Sequence, residues 1–129
     1  MNIKSSKQIK FSKKYVFTYP NIFSFPECPG VYILSSKNFV MYVGMAELQN
    51  IKKRVLRHYD TKSTQNPRLR NFIKSRGITT FIQYCCCEKK LIRELERYCI
   101  VTLQPRTNHG PDKEKSIENN YFKGYKINS

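Results

Sequence analysis

Gly30-Val31-Tyr32-Ile33-Leu34-Ser35-Ser36-Lys37-Asn38-Phe39-Val40-Met41-Tyr42-Val43-Gly44 is the stretch on which the fold turns. Two runs of β-branched and aromatic residues, Val31 to Leu34 and Phe39 to Val43, flank the polar loop Ser35 to Asn38. That pattern predicts a β-hairpin. The hairpin carries two phenols, Tyr32 and Tyr42, each within one residue of a Val and within two of a Gly.

After the hairpin the hydrophobic period changes from two to about four. Ile51, Val55 and Tyr59 recur at helical spacing, and Asn50 stands where an N-cap belongs. Asn66-Pro67 starts a second helix, a cap followed by Pro at the first helical position, with Leu69, Phe72 and Ile73 inward and Gly77 as its stop. Ile78 to Cys87 reads as a third strand, rich in Thr, Ile, Phe and Tyr. Leu91, Ile92, Leu95, Cys99 and Leu103 mark a long helix that must end before Pro105. The expected fold is α+β, a β-β-α-α-β-α core with a small three-stranded sheet flanked by helices.

Composition narrows the function. The chain has 129 residues and a net charge of +15, from 24 Lys and Arg against 9 acids. Residues 50–106 alone hold 14 Lys or Arg against Asp60, Glu88, Glu94 and Glu96, so the charge resides in the body of the domain. A field of that size calls for a polyanion, and nucleic acid is the expected partner. No apolar run approaches the roughly 18 residues of a membrane span, so no membrane partner is expected. Cys28, Cys85, Cys86, Cys87 and Cys99 form no CxxC pair. They read as reduced cysteines in an intracellular protein, with Cys85 and Cys87 on one face of a strand and Cys86 on the other. Residues 1–27 form a basic arm with Lys4, Lys7, Lys10, Lys13 and Lys14. Residues 28–108 form the domain, and residues 109–129 form an extension, either packed on the domain through Tyr121, Phe122 and Tyr125 or frayed.

The first helix places Arg54 and His58 one turn apart on one border of its apolar stripe, where side chains look into clefts. On the last helix Glu96 lies roughly 80° from the stripe centre, and Glu94 lies roughly 120° away on the other side, facing water. Glu96 is the carboxylate for a cleft. Carboxylate oxygens and waters are what hard divalent cations take, and such an ion offsets charge on a phosphodiester.

In this order of elements the chain resembles the GIY-YIG nuclease family. Gly30-Val31-Tyr32 and Tyr42-Val43-Gly44 stand at its two signatures, Lys52 to Tyr59 is similar to its Arg-bearing helix, and Glu96 with Pro105 and Asn108 resembles its metal-binding Glu and closing segment. Two departures, a shorter hairpin loop and a longer gap from Gly44 to Arg54, leave the placement of Arg54 open, with Arg57 as the alternative should Arg54 not enter the site. The resemblance implies a DNA endonuclease with one Mg²⁺ or Mn²⁺ per active site. Glu96 would hold the metal, and Arg54 would stabilise the transition state. Tyr32 would act as general base or orient the attacking water, its pKa lowered from about 10 by nearby cations, with Tyr42 and His58 hydrogen-bonding around it and His58 as the rival base. Gly30, Gly44 and Asn108 would support the site. Lys52, Lys53, Arg57, Arg68, Arg70 and Lys74 are the candidate DNA-binding residues.

Two other readings stay open at this level. One is a catalytically weak or inactive nucleic-acid-binding module that keeps the fold. The other is a ribonucleoprotein component in which Tyr15, Phe17 and Tyr19 stack on single-stranded bases. Target specificity is expected to be slight, or else supplied by a partner protein or by homodimerisation, because the 1–25, 60–65 and 109–129 stretches are the only spare material.

Overall fold

The computed structural model describes residues 7–60, 66–108 and 117–128. Its elements run β1 Gln8–Lys10, β2 Tyr15–Val16, α1 Tyr19–Phe23, β3 Gly30–Ser35, β4 Val40–Ala46, α2 Ile51–Tyr59, α3 Pro67–Lys74, β5 Phe81–Cys86, α4 Lys89–Leu103 and β6 Lys126–Asn128. Lys4 and the stretches 61–65 and 109–116 lie outside the described residues.

β3 is buried along its whole length and sits between antiparallel neighbours β4 and β5, in a sheet ordered β2-β5-β3-β4. A strand covered on both faces should be apolar at every position, and Val31-Tyr32-Ile33-Leu34 is. Alternation then sorts its side chains. Tyr32 and Leu34 face one core, shared with Ile22 of α1, Ile51 and Val55 of α2 and Leu69 of α3. Val31 and Ile33 face the other, shared with Ile92, Leu95 and Cys99 of α4. The helices therefore divide three to one across the sheet.

The expected hairpin is present, with one irregularity. Leu34 opposes Tyr42 while Ser35 opposes Val40, so Met41 is the extra residue of a β-bulge. The bulge lets Met41 and Tyr42 both join the core beneath α2 and α3. Both helix caps form as expected: Asn50 Oδ1 accepts from the Lys53 N–H at 2.8 Å, and Asn66 Oδ1 accepts from the Leu69 N–H at 3.1 Å. α4 ends at Gln104, whose left-handed backbone (φ 49°) turns the chain into Pro105.

Four expectations need correction. The main sheet has four strands rather than three, because β2 pairs with β5, and β1 pairs in parallel with β6 as a separate ribbon. Short strands without a flanking turn signature leave little trace in sequence. Residues 7–27, read as an arm, are packed: Ile9, Phe11, Phe17, Ile22 and Phe25 are all buried. The third strand begins at Phe81 rather than Ile78, and the carbonyl of Thr80 instead accepts from the Phe17 N–H at 2.8 Å.

The fourth correction concerns the cysteines. Cys85 and Cys87 do face the α4 core and Cys86 the opposite side, as alternation requires. Cys86, however, is joined to Cys28 by a disulfide, with Cα atoms 5.9 Å apart. The register sets Gly30 opposite Cys86, which brings Cys28 alongside. The bridge ties the end of β5 to the segment whose Cys28 carbonyl accepts from the Ile51 N–H at 2.8 Å, the first residue of α2. The cysteines are thus not all reduced, and the intracellular reading loses that ground. Among the described residues no helix is long and apolar enough to cross a membrane.

Candidate active site

Tyr32 lies on β3 directly opposite Gly44 on β4. That pairing explains the glycine. A Cβ at Gly44 would overlap the Cζ and hydroxyl of Tyr32 and would sit 2.7 Å from Cε2 of Tyr42. Only hydrogen there leaves room for both phenols. Gly30 is held by a similar constraint, since a Cβ would overlap the Cys85 carbonyl and meet Ile51 Cδ1 at 2.8 Å. It lets β5 and α2 close on β3.

The Tyr32 hydroxyl has no exposed surface and lies 2.7 Å from Nε2 of His58. His58 comes from the border of α2 facing the sheet, where helical spacing placed it. Its ring also packs edge-on to Tyr42, with centroids 5.2 Å apart, and Tyr32 and Tyr42 are 6.3 Å apart. Arg54, one turn earlier, is half-buried, and its charge acts on Tyr32, Tyr42, His58 and Glu96. Arg57 is exposed on the outer face of the helix. Arg54 and not Arg57 therefore enters the cluster. Its Nε is buried and has no hydrogen-bond partner, and an unmet buried donor of this kind is costly unless something anionic meets it.

Glu96 arrives on α4, from the opposite face of the sheet, yet is close enough to Arg54 and Tyr42 to act on both. Burial pushes its carboxyl above the ordinary carboxylate range, against the pull of Arg54, Arg93 and Arg97. Sequence reasoning did not single out Glu47, which holds Arg93 through a pair of short contacts, Oε1 to Nη2 at 3.0 Å and Oε2 to Nε at 3.1 Å. With Arg93 so engaged, Glu96 makes no ion pair of its own among the described residues. Glu94, expected to face water, instead accepts from the Tyr121 N–H at 3.0 Å and anchors the C-terminal segment to α4.

Asn108 works on the backbone. Its Oδ1 accepts from the Val43 N–H and its Nδ2 donates to the Val43 carbonyl, both at 2.8 Å. The Arg106 and Thr107 N–H groups donate to Val40 and Met41. Residues 106–108 thereby satisfy the edge of β4 from Val40 to Val43 and hold Tyr42 between two fixed neighbours.

The candidate DNA-binding residues divide between two helices. Lys53 and Arg57 are exposed on α2, where Lys52 is half-buried, while Arg68, Arg70 and Lys74 lie on α3. α3 is tied to the closing segment by Asn66 Nδ2, which donates to the Thr107 carbonyl at 2.7 Å.

Two tyrosines bracketing a glycine contact, an Arg and a His one turn apart, the Glu96 carboxylate from the last helix and an Asn clamp on β4 thus meet in one place. The family model of the GIY-YIG catalytic domain matches residues 28–109, which contain all of them. The chain belongs to the GIY-YIG family. It accordingly carries a nuclease-type domain, of the mixed α+β architecture seen here. No curated protein and no solved structure matches the chain.

GIY-YIG nucleases generally use divalent metal ions, and the donor set here can be tested for one. Among the described residues no three His, Cys, Asp or Glu side chains cluster. Among those residues, therefore, no set of protein ligands would enclose an ion. An ion held by one carboxylate and otherwise by water and phosphate oxygens does fit, and that is the coordination Mg²⁺ takes. Glu96, uncommitted and beside Arg54, is the residue that fits it.

The pKa directions revise the sequence expectation for the base. Cations were expected to bring Tyr32 toward phenolate. Burial instead pushes it up, Tyr42 adds to this, and the opposing pull of Arg54 is smaller. His58 moves the other way, lowered to about 4 by burial and then by Arg54 and Arg57. At neutral pH it is an uncharged imidazole, and with its proton on Nδ1 the Nε2 accepts from the Tyr32 hydroxyl.

This shift carries a stability prediction. An unfolded His58 binds a proton below about 6.5, whereas the folded one does so only below about 4. The unfolded chain therefore gains protons first as pH falls. The contribution is complete above pH 6.5 and is lost between 6.5 and 4, amounting to roughly 3 kcal/mol. Glu96, raised by burial, changes stability in the opposite sense as pH falls. The comparison is thus between wild type and His58→Gln, whose urea-unfolding difference should shrink from pH 7 to pH 4. A difference that stays constant would exclude the neutral buried imidazole.

Proposed function

We propose that the protein is a metal-dependent DNA endonuclease that hydrolyses phosphodiester bonds with one Mg²⁺ or Mn²⁺ per site. The observation that carries this is the buried, unmet Arg54 Nε beside Glu96 and the Tyr32–His58 pair. An anion is what that donor lacks, and with a net charge of +15 the anion of choice is a nucleic-acid phosphate.

In hydrolysis a water oxygen forms a new bond to phosphorus as the bridging P–O bond breaks, and the water must lose a proton. The bound divalent ion would draw charge from the phosphate and assist the water's ionisation. Arg54 donates to a nonbridging oxygen where negative charge grows in the transition state, the place at which a fixed donor acts most strongly. Glu96 supplies the anionic oxygen that would hold the metal. Tyr42, half-buried, faces the substrate water, while Tyr32 and His58 lie behind it as the proton sink. The water's proton reaches neutral His58 through Tyr32: the Tyr32 hydroxyl takes it as its own proton passes to Nε2, which already accepts from that hydroxyl. Tyr32 thus becomes the relay and His58 the final proton acceptor. Lys52, Lys53 and Arg57 on α2, with Arg68, Arg70 and Lys74 on α3, guide the DNA backbone toward Arg54. Residues 28–108 form the catalytic unit, flanked by accessory segments 1–27 and 109–129, and the proposed DNA substrate is the remaining ground for an intracellular location.

The test is nicking of supercoiled plasmid. Relaxed and linear products are expected with Mg²⁺ or Mn²⁺ and none with a chelator. Salt-sensitive DNA binding without cleavage in any divalent ion would instead identify a binding module that keeps the fold.

A further inference from the structure

Soluble domains expose isolated aromatics freely, but among the described residues three of the six large exposed hydrophobics form one patch. Tyr19 and Phe23, one turn apart on α1, stack with centroids 5.5 Å apart and are 50% and 54% exposed. Tyr59 of α2, expected in the core stripe, is 41% exposed and leans against Tyr19 at 6.1 Å. Beneath them Tyr59 packs edge-on to buried Phe17, which roots the patch in the core. Lys52 Nζ lies 4.1 Å from the Phe23 ring centre, so a cation sits within the aromatic surface.

The placement of this patch relative to the active site follows from helix geometry. On α2, Lys52 and Tyr59 border the apolar stripe on one side, and Arg54 and His58 border it on the other. The solvent-facing arc between them carries Lys53 and Arg57, both exposed. A strand leaving Arg54 would cross two cations over a helix about 10 Å wide and arrive at the aromatic patch. The charge of this path excludes a cationic partner and matches a phosphate backbone.

We propose that Tyr19, Phe23, Tyr59 and Lys52 form a ledge for unpaired nucleotides of the DNA, so that the preferred substrate is duplex with a single-stranded extension. Aromatic rings stack on bases whose faces are free, which a closed duplex does not offer, and a neighbouring lysine takes the intervening phosphate. The direction of approach rests on the nuclease reading of the Arg54 site.

The test is fluorescence anisotropy in chelator, where no cutting occurs, using a fluorescein-labelled blunt duplex and the same duplex with an extension of about 12 thymidines. The extended duplex should bind roughly tenfold more tightly than the blunt one, the effect of stacking about one base. Tyr19→Ala with Phe23→Ala should remove that preference and leave blunt-duplex affinity in place. Both side chains are half exposed, and thermal unfolding checks that the fold is kept; Tyr19→Gln alone, which deletes one ring, should weaken the preference. Equal affinity of the wild type for the two duplexes overturns the ledge. So does a preference that survives the double substitution, including the case where the wild type is a dimer and the variant a monomer. Plasmid nicking without the preference overturns the ledge alone. A preference that depends on Tyr19 and Phe23, without nicking in any divalent ion, leaves the ledge standing and overturns the nuclease reading.

Discussion

Glu96→Gln is expected to lower Mg²⁺-dependent plasmid nicking by about a thousandfold or more, on the scale of the several kcal/mol that a divalent ion supplies to charge stabilisation. Gln keeps the shape of the side chain and its place on α4. Among the described residues it removes the anionic oxygen beside Arg54 that is not already engaged, since Glu47 is spent on Arg93. Stability should not fall with activity. Burial already disfavours the charged form of Glu96, so a neutral amide is expected to leave the thermal midpoint unchanged or slightly raised. Loss of nicking with retained stability and retained DNA binding distinguishes a metal-holding role from a structural one. Nicking within tenfold of the wild type would remove Glu96 from the mechanism.

Gly44→Ala carries the second large effect. The added methyl would occupy the place of the Tyr32 hydroxyl and press on the Tyr42 ring. Tyr32 has no exposed surface into which to retreat, and its hydroxyl is held by His58. Overpacking of this kind costs about 1–3 kcal/mol. Activity should suffer more, by roughly a hundredfold, because a displacement of about 1 Å among reacting groups is enough for that. Gly77→Ala is the control, since nothing lies within 4 Å of a Cβ there. Urea unfolding and plasmid nicking together read both effects. A Gly44→Ala protein with wild-type stability and activity would mean that the β3–β4 register at Tyr32 is not as described.

Much of this was legible in the chain. The hairpin, both Asn caps and the end of α4 before Pro105 are local matters, settled within a few residues by backbone sterics and hydrogen bonding. Helical spacing was enough to aim Arg54 and His58 inward and to separate Glu96 from Glu94. It misplaced Tyr59, because a stripe marks which side of a helix is apolar but not how far the neighbouring layer extends. α1 is only five residues long and leaves that ring partly uncovered.

What the sequence by itself determined was the inventory of the site and the faces on which its members stand. Tertiary structure alone decided the partnerships: the Cys28–Cys86 bridge across 58 residues, the Asn108 clamp on Val43 across 65, and the Glu47–Arg93 pair that leaves Glu96 uncommitted. It also decided the direction in which burial shifts the site's groups, raising Tyr32 where cations were expected to lower it and lowering His58 to about 4. The physical reason is that periodicity is encoded locally, whereas burial and the distance to the next charge depend on which remote elements close over a side chain.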